Sequence, residues 1–170
     1  METVFTTHVP GFTLRLATKR DCPLILELIR ELAVYEKMED QVTATVEKLE
    51  DTLFVRNQAE VLIGELEGAP VAFALFFHNY STFLGKAGIY LEDIYVRESQ
   101  RGKGLGGAVF NRLAAIALER GCARLDWSCL DWNTSAIGFY NKLGATPMDD
   151  WRLFRLQGTA LAKVGGKPAK

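Results

Sequence analysis

The sequence predicts an α/β domain built on one mixed sheet, and three observations predict it. Strand-like runs in the middle of the chain follow one another through a tight turn, which makes a meander. The later strand-like runs are separated by helical runs, which makes βα crossings. A meander followed by crossings puts antiparallel and parallel pairs into the same sheet. The chain has 170 residues, enough for one domain with a sizeable core, and it shows no internal repeat or linker.

Taken in order, Phe12-Thr13-Leu14-Arg15-Leu16 alternates and reads as the first strand. A helix follows, with Asp21 as its N-cap, Pro23 in its first turn, and Leu24, Leu28, Ile29 and Leu32 at helical spacing. A second, short helix is expected from Thr45 to Leu53. Val61 to Leu66, the turn Glu67-Gly68-Ala69-Pro70, and Val71 to Phe77 form an antiparallel hairpin. Ile89 to Val96 is the next strand. A glycine-rich stretch then opens a strong helix with Leu105, Val109, Leu113, Ile116, Ala117 and Leu118 on its apolar side. Arg124 to Leu130 is a further strand. Ser135 to Leu143 is a helix that Gly144 stops, and Leu153-Phe154-Arg155-Leu156 is expected to close the sheet. Residues 1–10 and 163–170 are expected to be loose, because they cannot bury enough apolar surface to order themselves.

Composition excludes several classes. The net charge of -1 gives no bulk field that would recruit nucleic acid or an anionic membrane, so an anionic ligand must be held by a local site. No apolar run approaches the ~18 residues that a membrane span needs. Met1-Glu2-Thr3-Val4 lacks the basic start of a signal peptide, so a cytoplasmic location is expected. The three cysteines, Cys22, Cys122 and Cys129, fit no CxxC pattern and are expected to be reduced. His8 and His78 are isolated, and no metal site is expected.

The stretch Arg101-Gly102-Lys103-Gly104-Leu105-Gly106-Gly107 has the chemistry of a phosphate site. Clustered glycines before a helix leave backbone N–H groups open to close approach, the helix dipole favours an anion there, and Arg101 and Lys103 add positive charge. Gly102, Gly104 and Gly107 match the dinucleotide fingerprint GxGxxG, and Asp126 lies about 20 residues on, where a ribose-binding acid is expected. Two facts reject that ligand. In a dinucleotide fold the first glycine follows the strand at once, whereas Arg97-Glu98-Ser99-Gln100-Arg101 intervene here. The chain after Gly107 is also too short for the remaining elements of that fold. No Gly-Lys-Ser/Thr ends the run, so a Walker A loop fails too.

Arg101, Gly104 and Gly106 also fit the longer pattern Arg-x-x-Gly-x-Gly. With Glu31-Leu32-Ala33-Val34-Tyr35-Glu36, Tyr90-Leu91-Glu92-Asp93, Asp131-Trp132-Asn133, Phe139-Tyr140 and Trp151-Arg152-Leu153-Phe154, it resembles the GNAT N-acetyltransferases. Within them the chain is similar to the spermidine/spermine (diamine) and thialysine N-acetyltransferase branch, from about Leu14 to Leu156. The resemblance implies a central, mostly antiparallel twisted sheet, splayed in the middle and flanked by about four helices. It implies acetyl-CoA as the co-substrate, a small amine as the acceptor, and a homodimer.

The chemistry asks for particular groups. An alkylamine has a pKa near ~10.4, so removing its proton at pH 7 costs roughly 4–5 kcal/mol. The site therefore needs carboxylate to attract the ammonium and help deprotonate it. Glu92 and Asp93 are adjacent on one strand, so their side chains point to opposite faces. The resemblance assigns Glu92 to the amine, as a base directly or through water, while Asp93 is a further substrate contact or a surface carboxylate. It assigns Tyr140 the protonation of the leaving thiolate. It places the backbone of Ile94, Tyr95 and Val96 against the thioester and pantetheine, the stretch Arg101 to Gly107 against the pyrophosphate, and Asn133, Ser135 and Ala136 nearby. Tyr35, Glu36, Asp126, Trp127 and Ser128 resemble substrate-lining positions, and Arg152 is a candidate for an amino-acid carboxylate. Phe83 stands where relatives place a tryptophan, which touches the amine pocket. Two other functions remain open at this point, a protein-lysine acetyltransferase and a non-catalytic acyl-CoA-binding module.

Overall fold

The alternating runs pair as strands β1 (Val4–Thr6), β2 (Phe12–Leu16), β3 (Glu60–Leu66), β4 (Ala69–Ser81), β5 (Lys86–Val96) and β6 (Leu125–Trp127). The structure, a computed structural model, describes residues 3–166. Its strands lie in the order β1-β2-β3-β4-β5-β6. Every neighbouring pair is antiparallel except β5–β6, which is parallel. The mixed sheet expected from the sequence is therefore present. The α-helices are α1 (Cys22–Glu36), α2 (Val46–Leu49), α3 (Leu105–Glu119), α4 (Thr134–Lys142) and α5 (Gly158–Val164), and a π-helical stretch, Glu50–Val55, continues α2. The chain divides into two compact units, Met1–Ser128 and Cys129–Lys170. Among the described residues no helix is long and apolar enough to cross a membrane.

In the first unit the two-residue period of the strands separates two apolar faces. One face carries Val61, Ile63, Phe73 and Tyr95, which pack with Ile25, Leu28 and Leu32 of α1 and with Leu49 of α2. Those α1 residues recur every three or four positions, the spacing that lines one side of a helix. The other face meets α3, where Trp127 of β6 packs edge-on against Phe110. Phe73 is fully buried, and removing such a ring costs about 3–5 kcal/mol.

Two ion networks fix α1. Asp21 does not cap α1 through its side chain, as the sequence had indicated. Its carboxylate instead accepts from Thr18 and pairs with both terminal nitrogens of Arg15, which holds it down at about 2. Arg97, just after β5, pairs with Glu27 and Glu31 of α1 and donates to the Pro70 carbonyl. The middle of α1 is thereby tied to the end of β5.

Four expectations change. Val4–Thr6, inside the stretch read as loose, is a strand paired with β2, and Arg112 of α3 sits over the Phe5 ring. The run from Arg124 to Leu130 forms a ladder only over Leu125–Trp127. Residues 153–156 form no strand, because alternation becomes a strand only where a partner edge exists, and none of the five ladders includes them. The fourth change is α5, where Thr159-Ala160-Leu161-Ala162-Lys163 supplies good helix formers. Of the ends read as loose, Met1, Glu2 and 167–170 lie outside the described residues.

Candidate active site

The carboxylates are set by a defect in β5. In the β4–β5 ladder Leu75 faces Asp93 and Phe76 faces Leu91, so Glu92 is an extra residue on β5. A bulge of this kind interrupts the alternation and bends the strand. The strict opposition of Glu92 and Asp93 expected from the sequence is thus broken. Glu92 is exposed and Asp93 is half-buried. Burial, then the charges of Glu92 and of Glu36 at the end of α1, push Asp93 up to about 6. Burial also raises the half-buried Glu36. The parallel β5–β6 ladder covers only Ile89–Leu91 and stops one residue before the bulge. The backbone of Ile94, Tyr95 and Val96 therefore lies beyond that ladder, which is the splay that the resemblance implies.

The face of Asp93 continues toward β6. Tyr90, one of its neighbours on that face, shares a 2.7 Å hydrogen bond with Ser128. Asp126, paired with Tyr90 in the ladder, is not free. Its Oδ2 accepts from Asn79 Nδ2 at 2.8 Å and pairs with Arg124 Nε at 2.7 Å. Asp126 is thus part of a sheet network with Asn79 and Arg124. Trp127, by alternation, is turned to the opposite face, against Phe110. Tyr90, beside the Leu91-Glu92-Asp93 stretch, was not singled out from the sequence. The cross-strand pair with Ser128 is set by register, which the sequence does not state. Phe83 lies at the exposed tip between β4 and β5.

The glycine stretch fits the close approach of an anion. Gly102 and Gly104 have φ of 77° and 81°, a region that side chains enter at a cost. Gly106 and Gly107 have no such need. They lie in the first turn of α3, and a Cβ on either would meet nothing within 4 Å. Neither backbone strain nor internal packing explains glycine there, whereas a ligand approaching the backbone does. The first intrahelical bond of α3 runs from Ala108 N–H to the Gly104 carbonyl, so the N–H groups of Leu105, Gly106 and Gly107 precede it. Lys103 is exposed, with its Nζ 2.6 Å from Gln100 Oε1. Leu105 is buried and anchors the turn. These residues would hold the pyrophosphate of acetyl-CoA.

Arg101 is held from several sides. Its Nε donates to the Val96 carbonyl at 3.0 Å. Its guanidinium carbon lies 4.3 Å from the centre of the Tyr35 ring and 5.5 Å from that of Tyr95. Tyr35, read from the sequence as substrate wall, therefore also touches the anion loop. The Tyr95 side chain is in the core, so only its backbone is available to a ligand.

In the second unit Asn133 is the N-cap of α4, its side-chain oxygen accepting from Ala136 N–H at 3.2 Å. A side-chain oxygen at this position satisfies a backbone donor left over by the helix start. Ser135 is exposed in the first turn. Tyr140 lies two turns beyond Asn133 on the same side of the helix. It is half-buried, with the Phe139 ring 5.5 Å away.

The comparisons agree with this geometry. A family described as acetyltransferase (GNAT) matches residues 24–145. The chain is 40% identical over 166 residues to the thialysine N-epsilon-acetyltransferase of Bos taurus, covering 91% of this chain and 97% of that protein. It is 32% identical over 209 residues to an L-ornithine N5-acetyltransferase of Arabidopsis thaliana, covering 96% and 92%. Among solved structures it is similar to an integron cassette protein from the mobile metagenome of V. cholerae, with a TM-score of 0.78 and 25% identity over 91% of this chain and 98% of that one. An anion cradle at the head of α3, acids at a bulge in β5 and a match across most of the chain agree, and the chain belongs to the GNAT family of acetyl-CoA-dependent N-acetyltransferases.

Proposed function

We propose that this enzyme acetylates the terminal primary amine of a small molecule, either a lysine-like amino acid such as thialysine or a di- or polyamine, by direct attack. The observation that carries the reading is the acid group at the bulge, where burial, and then the charges of Glu92 and Glu36, bring a half-buried Asp93 to about 6. Such a group is relieved by a cation, and an alkylammonium is the cation that this reaction needs. The names of the cattle and Arabidopsis relatives give side-chain amines of amino acids, which favours the amino acid over the polyamine.

Bound acetyl-CoA supplies a thioester whose carbonyl carbon takes the amine, and the C–S bond breaks to release CoA as thiolate. Glu92, exposed beside Asp93, draws in the ammonium. Asp93 or Glu92 takes its proton, directly or through water. An acid near 6 lies about 3 kcal/mol closer to the amine in proton affinity than an ordinary carboxylate. The β5 backbone beyond the β6 ladder offers N–H groups to the carbonyl oxygen. Tyr140 gives its proton to the sulfur, and Asn133 and Ser135 contact the pantetheine arm. No metal takes part. The enzyme acts as a homodimer.

A steady-state panel of thialysine, lysine, ornithine, putrescine and spermidine tests the reading. The highest kcat/KM is expected with an amino acid, and with Tyr140→Phe kcat is expected to fall. No turnover with any amine despite tight CoA binding would leave only an acyl-CoA-binding module. Full turnover by Tyr140→Phe would remove that residue from the mechanism.

A further inference from the structure

Tyr35 is the second-last residue of α1, and its ring packs on the core beside that helix. The same ring lies under the guanidinium of Arg101, at 4.3 Å, while Tyr95 of β5 lies 5.5 Å from it. The Nε donor of Arg101 is committed to the Val96 carbonyl, and its nearest carboxylate, Glu98, is 3.7 Å away. Glu98 is largely exposed, so this ion pair holds the guanidinium weakly. The aromatic platform and the carbonyl together decide where the planar head sits. A planar cation on a ring face keeps its edge N–H groups directed outward, away from the ring.

We propose that Tyr35 is a positioning residue for the anion loop: it seats Arg101 for the pyrophosphate of acetyl-CoA, in addition to bordering the amine side. The inference rests on the reading of the loop as the pyrophosphate site. Its basis is the placement of one ring between two sites. Glu36, the next residue along α1, acts electrostatically on Asp93, while Tyr35 supports Arg101. One helix turn therefore touches both the cation-binding acids and the anion-binding loop. The middle of α1 is tied to the residue after β5 by the Arg97 pairs to Glu27 and Glu31, which orients the helix that carries the platform. Displacing Tyr35 loosens Arg101, and the loss appears in the binding of CoA alone, with no amine present.

The test is calorimetric titration of the full chain with CoA in the absence of amine, for the wild type, Tyr35→Phe, Tyr35→Met, Arg101→Ala and the double variant Tyr35→Met with Arg101→Ala. Phe keeps the ring face, and CoA affinity is expected to stay within about twofold. Met keeps apolar volume without a ring face, and affinity is expected to fall roughly three- to tenfold. In the Arg101→Ala background the Tyr35→Met change is expected to have no further effect, since the interaction it removes is already gone. Thermal midpoints of each variant confirm that the fold is retained, and Tyr35→Phe remains informative should Tyr35→Met unfold, because lost CoA affinity in a folded Phe variant would contradict the platform. If Arg101→Ala weakens CoA while Tyr35→Met does not, the inference is overturned and the loop reading stands. An unchanged CoA affinity in Arg101→Ala would overturn the loop reading and the inference with it.

Discussion

Asp93 and Glu92 are neighbours whose difference arises from one skipped ladder position. Asp93 stays opposite Leu75 on the face shared with α1, where Glu36 adds a like charge. A base with its pKa at about 6 is ionised at neutral pH and still accepts a proton more readily than a free carboxylate. The reactive form is the ionised one, so kcat/KM is expected to rise as pH passes upward through about 6. Asp93→Asn is expected to remove that limb and to lower kcat/KM by about 100-fold at pH 7.5. The stability effect runs the other way. The folded-state pKa lies above the unfolded value, so the stability that the protonated form contributes is full below about 4 and is lost as pH rises through about 6. Asp93→Asn is therefore expected to be more stable than the wild type at pH 7.5, by about 1–3 kcal/mol in urea unfolding. An Asn variant that lost activity and stability together would mark Asp93 as structural. Full activity in Asp93→Asn would return the proton transfer to Glu92 alone.

At the scale of elements, α3 was readable from its apolar spacing and its glycine opening, because both depend on local sequence. The helix α1 was equally readable, since Leu28 and Leu32 follow the helical period and are buried; Leu24 and Ile29, read with them, are half-buried, and the fully buried Ile25 was not singled out. The bulge at Glu92 was not, because a skipped residue exists only relative to the partner strand. The same reason hid the short β5–β6 ladder, the commitment of Asp126 to Asn79 and Arg124, and the seat of Arg101 on Tyr35. The glycines of α3 allow a test at this scale. Gly106 and Gly107 carry no positive φ and face open space, so alanine at either position is expected to raise helix stability by up to about 1 kcal/mol. The added methyl occupies the approach that the loop leaves to pyrophosphate, so CoA affinity is expected to drop by tenfold or more in the same variants. Thermal melting and CoA titration separate the two effects. A Gly106→Ala variant that melts higher and binds CoA unchanged would show that the anion sits elsewhere.

On the scale of the whole molecule, the second unit has apolar surface without a matching interior. None of the described residues from Cys129 onward is buried, and Met148, Trp151, Leu153, Phe154 and Leu156 are exposed. Large apolar side chains exposed this close together along the chain are the kind of surface that an interaction site uses. The segment 153–156 also alternates like a strand while joining no ladder, so its backbone donors and acceptors are open to an added edge. A second copy supplies the same segment, and two-fold pairing of one segment with itself is the simplest closed contact between identical chains. The homodimer proposed above is therefore expected to use 151–156. Sedimentation and light scattering at micromolar concentration are expected to give the mass of two chains. Phe154→Asp puts a charge on an exposed position, where it leaves the core of the first unit untouched, and it is expected to shift the mass to that of one chain with the circular dichroism of the first unit's sheet retained. A wild-type chain that stays monomeric at that concentration would rule out the dimer. A dimer that persists in Phe154→Asp would place the interface on another surface.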